Sequence, residues 1–277
     1  MIQILAGLAA LAVLFFLVVI IWDVNRFVTI EYRIPCKGLK KSYCFVMLSD
    51  LHNKQFGEHN SRLLDAIDGC GPDSVLIAGD MLVGKDTASY QEALDFVTRL
   101  PAICPVYYGP GNHEQRLKEY PEKYEKSVYK KFKEGLALSG VHYLENQTAD
   151  IKLDRLPVRV NGLELPMLTY EKFKKHQVDA ADIRQCIGRA DRDKYQILLA
   201  HNPVYYPAYR KWGADLTVSG HLHGGIVRIP GLGGEMCIRD RRIIKEEIQG
   251  DGEYIEFSVK YKWTKVWYNS MKGWRCV

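Results

Sequence analysis

The feature that most constrains this chain is a recurrence. Short apolar runs are each closed by a polar loop in which Asp, Asn or His stands beside Gly. Residues 43–48 (YCFVML) lead into Ser49-Asp50-Leu51-His52, and 74–78 (SVLIA) lead into Gly79-Asp80. Residues 102–107 lead into Gly109-Pro110-Gly111-Asn112-His113-Glu114, 196–200 (QILLA) into His201-Asn202, and 215–218 into Ser219-Gly220-His221-Leu222-His223-Gly224-Gly225. Runs of this length and composition predict buried strands. Between them, 60–70, 89–100, 121–138 and 178–191 predict helices, and 27–34 (FVTIEYRI) alternates like a half-buried strand. The alternation predicts an α/β protein. In such a sheet the loops beyond the strand C-termini converge on one crevice, so these side chains are expected to meet.

Their chemistry points to metal. In Asp50-x-His52 and His221-x-His223, residues two apart on an extended segment point the same way, so each pair is expected to grip an ion from one side. Mixed oxygen and imidazole donors suit Mn, Fe, Zn or Co better than Ca or Mg. The donor set is too large for one tetrahedral ion and suits two ions sharing a carboxylate. Such a pair attracts a phosphate and stabilises in-line attack on it. Gly79, Gly109, Gly111 and Gly220 stand where the chain must turn sharply beside the ligands. A lone histidine such as His201 is ordinarily structural, and only its position after QILLA within the ordered set argues for ligation. His59, His142 and His176 lack such company and read as ordinary surface or core residues. The charged stretch 116–133 reads as a solvated helix face. Cys44 and Cys104 read as buried hydrophobes.

Residues 2–22 (IQILAGLAALAVLFFLVVIIW) carry no charge. As a helix they extend roughly 31 Å, enough to span a bilayer core of about 30 Å. A signal peptide would have a basic n-region and a small-x-small site, and this run has neither, so an uncleaved anchor is expected. Arg26, Arg33, Lys37, Lys40 and Lys41 follow the run, which places the downstream domain in the cytoplasm as a single-pass membrane protein. The seven cysteines are an odd set without a C-x-x-C pair, in keeping with a reducing compartment. A net charge of +5 favours anionic neighbours such as phosphorylated molecules or acidic lipid, and is too small to argue for nucleic acid.

Taken in order, Asp50-Leu51-His52, Gly79-Asp80, Gly111-Asn112-His113-Glu114, His201 and Gly220-His221-Leu222-His223 resemble the motifs of the calcineurin-like metallophosphoesterases. The resemblance covers about residues 27–234. With the N-terminal apolar segment and His223-Gly224-Gly225, it is most similar to the membrane-associated bacterial branch, some members of which hydrolyse UDP-2,3-diacylglucosamine. It implies a four-layer α/β/β/α sandwich, here preceded by one transmembrane helix, and a dinuclear centre in which manganese is favoured. By the same resemblance, Asp50, His52 and His223 hold one ion, Asn112, His201 and His221 hold the other, and Asp80 bridges them with a hydroxide. His113 matches the histidine near the leaving-group oxygen, acting as general acid or as an electrostatic partner. Glu114 stands where aspartate is commoner and reads as an orienting residue of modest consequence. The implied activity is hydrolysis of a phosphoester or pyrophosphate bond. The substrate is a phosphorylated small molecule or a lipid-linked one, with a lipid-nucleotide pyrophosphatase and a non-catalytic scaffold of the same fold as alternatives.

The organisation expected is an anchor over 1–26, the phosphoesterase domain over 27–234, and a divergent segment over 235–277. Within that last segment Met236 to Arg241 (MCIRDR) can be back-translated to a transposase end sequence used in sequencing libraries, so a chimeric origin is the first reading. A basic and aromatic tail resting on a membrane interface is the alternative.

Overall fold

The structure is a computed structural model that describes residues 2–36, 38–85, 89–124, 127–171, 174, 176–221, 228–229, 233–234, 254–259, 265–270 and 273–276. His223, Lys37 and the segment 235–253 lie outside the described residues.

Two six-stranded sheets carry the domain. The first has strand order β1 (Ile30–Pro35), β12 (Tyr254–Val259), β2 (Tyr43–Leu48), β3 (Ser74–Ala78), β4 (Val106–Gly109) and β5 (His142–Tyr143). The second runs β14 (Gly273–Cys276), β13 (Lys265–Ser270), β9 (Leu216–Ser219), β8 (Tyr195–Ala200), β7 (Leu156–Leu163) and β6 (Thr148–Leu153). A small ribbon pairs β10 (Arg228–Ile229) with β11 (Gly233–Gly234). The central strands β2, β3, β4 and β5 are parallel, as are β7, β8 and β9, so their C-terminal ends lie along common edges. The described residues 254–259, 265–270 and 273–276, in the part that the sequence sets apart as divergent, form strands that pair in both sheets: β12 lies between β1 and β2, and β13 runs antiparallel to β9.

Strand alternation explains the layers. Along β2, Phe45 and Met47 face the second sheet and pack with Val158, Val160, Ile197, Leu199 and Val218. Val46 and Leu48 face the other way, onto Leu63 and Ile67 of α2 (Ser61–Asp68), Phe96 of α3 (Gln91–Val97) and Phe132 of α5 (Val128–Leu138). On the far face of the second sheet, Leu198 and Ala200 meet Ile183 of α6 (Ala180–Ile187) and Tyr209 and Trp212 of α7 (Tyr206–Trp212). A strand buried on both faces has no polar positions left to alternate, which is why these runs read as continuous apolar text. The result is the α/β/β/α sandwich expected from the sequence.

Some local expectations differ. Asn112, His113 and Glu114 are read from the sequence as loop residues but open α4 (Asn112–Glu119). That segment has one apolar residue, Leu117, so it shows no helical periodicity. The hairpin β6–β7 and helix α7 also go unread. Helix α1 (Ile2–Val24) is long and apolar enough to cross a membrane, and its described side chains lie outside the core. The same length and composition also fit a signal sequence.

Candidate metal centre

The loops at the strand ends are laced together by their own backbones. Asp50 N–H donates to Gly79 C=O (3.1 Å), His52 N–H to Asp80 C=O (3.1 Å) and Asn53 N–H to Met81 C=O (2.9 Å), so the β2 and β3 loops run as one unit. Within the second sheet's loops Gly220 N–H donates to His201 C=O (3.1 Å), and across the sandwich His221 N–H lies 3.0 Å from both carboxylate oxygens of Asp50. The sequence expectation of an extended Asp50-x-His52 is corrected here. Asp50, His52, Asp80 and His221 all have left-handed backbones, with φ of 56°, 50°, 56° and 70°. Each such residue costs about 1–3 kcal/mol and persists only where its surroundings over-determine it, as the inter-loop bonds do here. The side chains still converge, because a tight left-handed turn brings the two together where an extended strand would have aligned them: His52 Nε2 lies 3.8 Å from Asp50 Oδ1.

Asp80 stands at the middle. Its Oδ2 is 3.0 Å from His201 Nε2 and 3.9 Å from both His52 Nε2 and His113 Nε2. Two sets of potential ligand atoms share it, one with His52 and His113 and one with His201 and His221. Asp50 Oδ1 lies 3.7 Å from His201 Nε2, which ties it to the same cluster. Asn112, the first residue of α4, is buried beside them.

The hydrogen-bond partners of two histidines set opposite tautomers. The Nδ1 of His201 sits 2.6 Å from Ala78 C=O, an acceptor, so Nδ1 carries the proton and Nε2 presents a lone pair. The Nδ1 of His113 accepts from Gly84 N–H (2.8 Å), so a neutral His113 carries its proton on Nε2 and presents a donor. Asn112 Oδ1 is buried without a hydrogen-bond partner among the described residues, and His201 Nε2 faces Asp80 Oδ2 at 3.0 Å. A lone pair and a carboxylate at that distance repel unless a proton or a metal ion lies with them. The residues present therefore fit a divalent ion.

Electrostatics agree with that fit. Burial opposes charge on His201, but Asp80, with Asp50 behind it, holds its pKa up at about 10, so without a metal a proton takes the cation's place. Burial alone would raise the pKa of Asp80, yet His201, His113 and His52 hold it well below the usual carboxylate range. Burial pushes His113 down to about 4 despite Asp80, and lowers His52 as well.

Glu114 carries far more of the architecture than its sequence reading allowed. Fully buried, it accepts hydrogen bonds from Tyr108 O–H (2.6 Å) and from the N–H groups of Asp80, Met81 and Gly111 (2.9 Å each). One carboxylate thus pins the loop of the shared aspartate to the start of α4. Burial and the Asp80 charge raise its pKa, while these donors work against the rise. Asp80 Oδ1 in turn accepts from His113 N–H (2.8 Å). Close approach also explains the glycines: a Cβ on Gly220 would overlap Ser49 Oγ and Asp50 Oδ2, and one on Gly111 would overlap Asp80 Oδ1.

Four residues beside the centre escaped sequence reading. Ser49 Oγ donates to Asp50 Oδ2 (2.9 Å), Gly84 sets the His113 ring, and Tyr124 O–H holds Gly84 C=O (2.9 Å). Tyr170 lies edge-on to His221, with centroids 5.1 Å apart. Ser49 had a signal in its place before Asp50, and Tyr170 in its place within 161–175 (NGLELPMLTYEKFKK), where the resembled family continues a strand into a loop that can border the substrate. His142 stacks on Tyr107 and His176 meets Glu171, both apart from the cluster, as is His59. Cys104 is buried in the core, and burial raises its thiol pKa to about 11.

A face-to-face α/β/β/α sandwich whose strand-end loops gather histidines and an amide around one shared aspartate defines the metallophosphoesterase class. The chain belongs to the calcineurin-like phosphoesterase family, whose sequence model matches residues 45–225. Metallophosphoesterases bind divalent metals, and the two groups around Asp80 are the candidate ligands in this chain. Among similar proteins, an uncharacterized metallophosphoesterase of Helicobacter pylori (strain J99) is 28% identical over 202 residues, covering 70% of this chain and 48% of the relative. Phosphodiesterase YaeI of Escherichia coli (strain K12) is 26% identical over 204 residues, covering 72% of this chain and 67% of the relative. The chain thus spans about half the length of the Helicobacter relative and of a similar one from Campylobacter jejuni.

Proposed function

We propose that this chain is a membrane-anchored phosphohydrolase that cleaves a phosphoester or pyrophosphate bond with two divalent transition-metal ions. The supporting observation is the convergence of His52 and His113 on one side and of His201 and His221 on the other about Asp80, a buried carboxylate that belongs to both ligand groups. Asp50, His52 and His223 would hold one ion, Asn112, His201 and His221 the other, and Asp80 would be shared between them. When bound, the ions supply positive charge for the phosphoryl oxygens and lower the pKa of the attacking water. The residues of the chain do the rest. Glu114 fixes the position of Asp80, the Ala78 carbonyl keeps the His201 lone pair directed inward, and His113 presents its Nε2–H to charge developing on the phosphoryl group. Manganese is favoured among Mn, Fe, Zn and Co.

The name of the Escherichia coli relative puts diesters on the substrate panel beside monoesters, and helix α1 keeps a lipid-linked pyrophosphate as the second reading. The test is metal analysis of the purified, Mn-supplemented protein followed by a hydrolysis panel with p-nitrophenyl phosphate, its diester and UDP-linked lipids. Two ions per chain and turnover of at least one substrate are expected. Finding no metal in folded protein, or a single tightly held zinc, would sink the dinuclear reading. Topology follows from the basic residues after α1: a reporter at the C-terminus should behave as cytoplasmic. External reporter activity, or release of a shortened soluble form, would replace the anchor with a signal peptide or reverse its orientation.

A further inference from the structure

Soluble surfaces carry scattered apolar side chains, and one alone means little. Outside α1, the large hydrophobics exposed among the described residues are Val28, Ile30, Leu138, Leu168 and Val204. Val28 and Ile30 directly follow the apolar helix. Leu168 (48% exposed) and Val204 (40%) stand together on the edge that carries the metal cluster. Leu168 lies in the turn Met167–Tyr170 beyond β7, and Val204 in the turn Pro203–Tyr205 directly after His201 and Asn202. The Asn202 side chain joins them, its Oδ1 accepting from Val204 N–H and its Nδ2 donating to Thr169 C=O, both at 3.1 Å. Pro166 and Pro207, two and three residues from them in the chain, are exposed as well.

The end of α1 is tied to this edge from another side. Lys54 Nζ, two residues past His52, donates to Asn25 Oδ1 (2.7 Å), and Phe27 packs edge-on against Phe56 at 5.1 Å between centroids. Arg62, at the start of α2, lines a groove with Val18, Ile21, Trp22, Asn25 and Arg26 of the last turns of the helix. Arg26 lies over the Trp22 ring at 3.9 Å. Arginines and a tryptophan at the end of an apolar helix are the side chains that settle at a headgroup layer.

We propose that the strand-end edge rests on the bilayer surface, with Leu168 and Val204 dipping into the headgroup–acyl boundary and Arg62 at the level of the lipid phosphates. The occupant of the apolar rim is the lipid surface, and phosphoesters reach the cluster from the headgroup layer. The proposal rests on α1 being a membrane anchor, and the test separates the two. The full chain is reconstituted in phosphatidylcholine–phosphatidylglycerol vesicles that contain a diazirine-bearing phosphatidylcholine, irradiated, and mapped by peptide mass spectrometry. Label is expected in α1 and in the peptides bearing Leu168 and Val204. Label in α1 alone overturns the docking while leaving the anchor standing, and no label in α1 overturns the anchor itself. A Leu168→Glu/Val204→Glu variant should lose about tenfold or more of its activity on a vesicle-borne phosphoester and keep its activity on p-nitrophenyl phosphate. Equal loss on both would make the pair part of the site and overturn the proposal. So would unchanged labelling with selective loss on soluble apolar phosphoesters, which would assign the rim to the substrate.

Discussion

Asp80→Asn is expected to lose metal and turnover together. The substitution keeps the shape of the side chain and leaves an oxygen able to accept the His113 N–H bond now made at 2.8 Å. It removes the single negative charge that both candidate ligand groups share. With that charge gone, His201 Nε2, now 3.0 Å from Oδ2, faces a neutral amide in place of a carboxylate. Metal content measured after gel filtration should fall from two ions toward none. Turnover should fall by roughly 10³-fold or more, because a bound ion contributes several kcal/mol of charge stabilisation in the transition state. Asp80→Ala should do the same and also weaken the fold, since it releases His113 N–H as well. Retention of both ions in Asp80→Asn with unchanged turnover would remove Asp80 from the shared position.

That result would test a part of the molecule that was legible in the text of the chain. Buried parallel strands must be apolar on both faces, so each one announced itself, and the polar residues at its end stood out by contrast. The same contrast hid the helix that follows β4. Asn112 to Glu119 has polar residues on nearly every side, because its buried Glu114 is turned to the loop of Asp80 and is satisfied by hydrogen bonds instead of apolar contact. Glu114 read as a modest variant of a motif position because all its partners but Tyr108 O–H are backbone amides, which leave no trace in a sequence. For the same reason nothing marked Gly84 or Tyr124. Their roles lie in one N–H and one carbonyl brought to the right place by the turn after Leu82. The left-handed backbones at Asp50, His52, Asp80 and His221 were hidden too, since none of these residues is glycine and the strain is borne by bonds between loops.

His113→Ala should keep both ions and lose turnover by roughly 10²- to 10⁴-fold, the range seen when a positioned acid, base or oxyanion donor is removed. The backbone decides which of these roles is expected. A ring whose Nδ1 accepts from Gly84 N–H at 2.8 Å cannot be doubly protonated without turning two donors against each other. The neutral ring carries its proton on Nε2, the nitrogen that faces the cluster 3.9 Å from Asp80. Such an N–H stabilises developing negative charge by hydrogen bonding and is far too weak an acid to surrender its proton. The loss in kcat should therefore be about the same for p-nitrophenyl phosphate, whose leaving group needs no protonation, as for an alkyl phosphate, whose leaving group does. His113→Asn, which can also present an N–H, should recover part of the loss on both substrates. A deficit confined to the alkyl ester would show that His113 delivers a proton and that its hydrogen bond to Gly84 breaks in the active form. Loss of an ion in His113→Ala would place its Nε2 among the ligands, as its nearness to His52 and Asp80 allows.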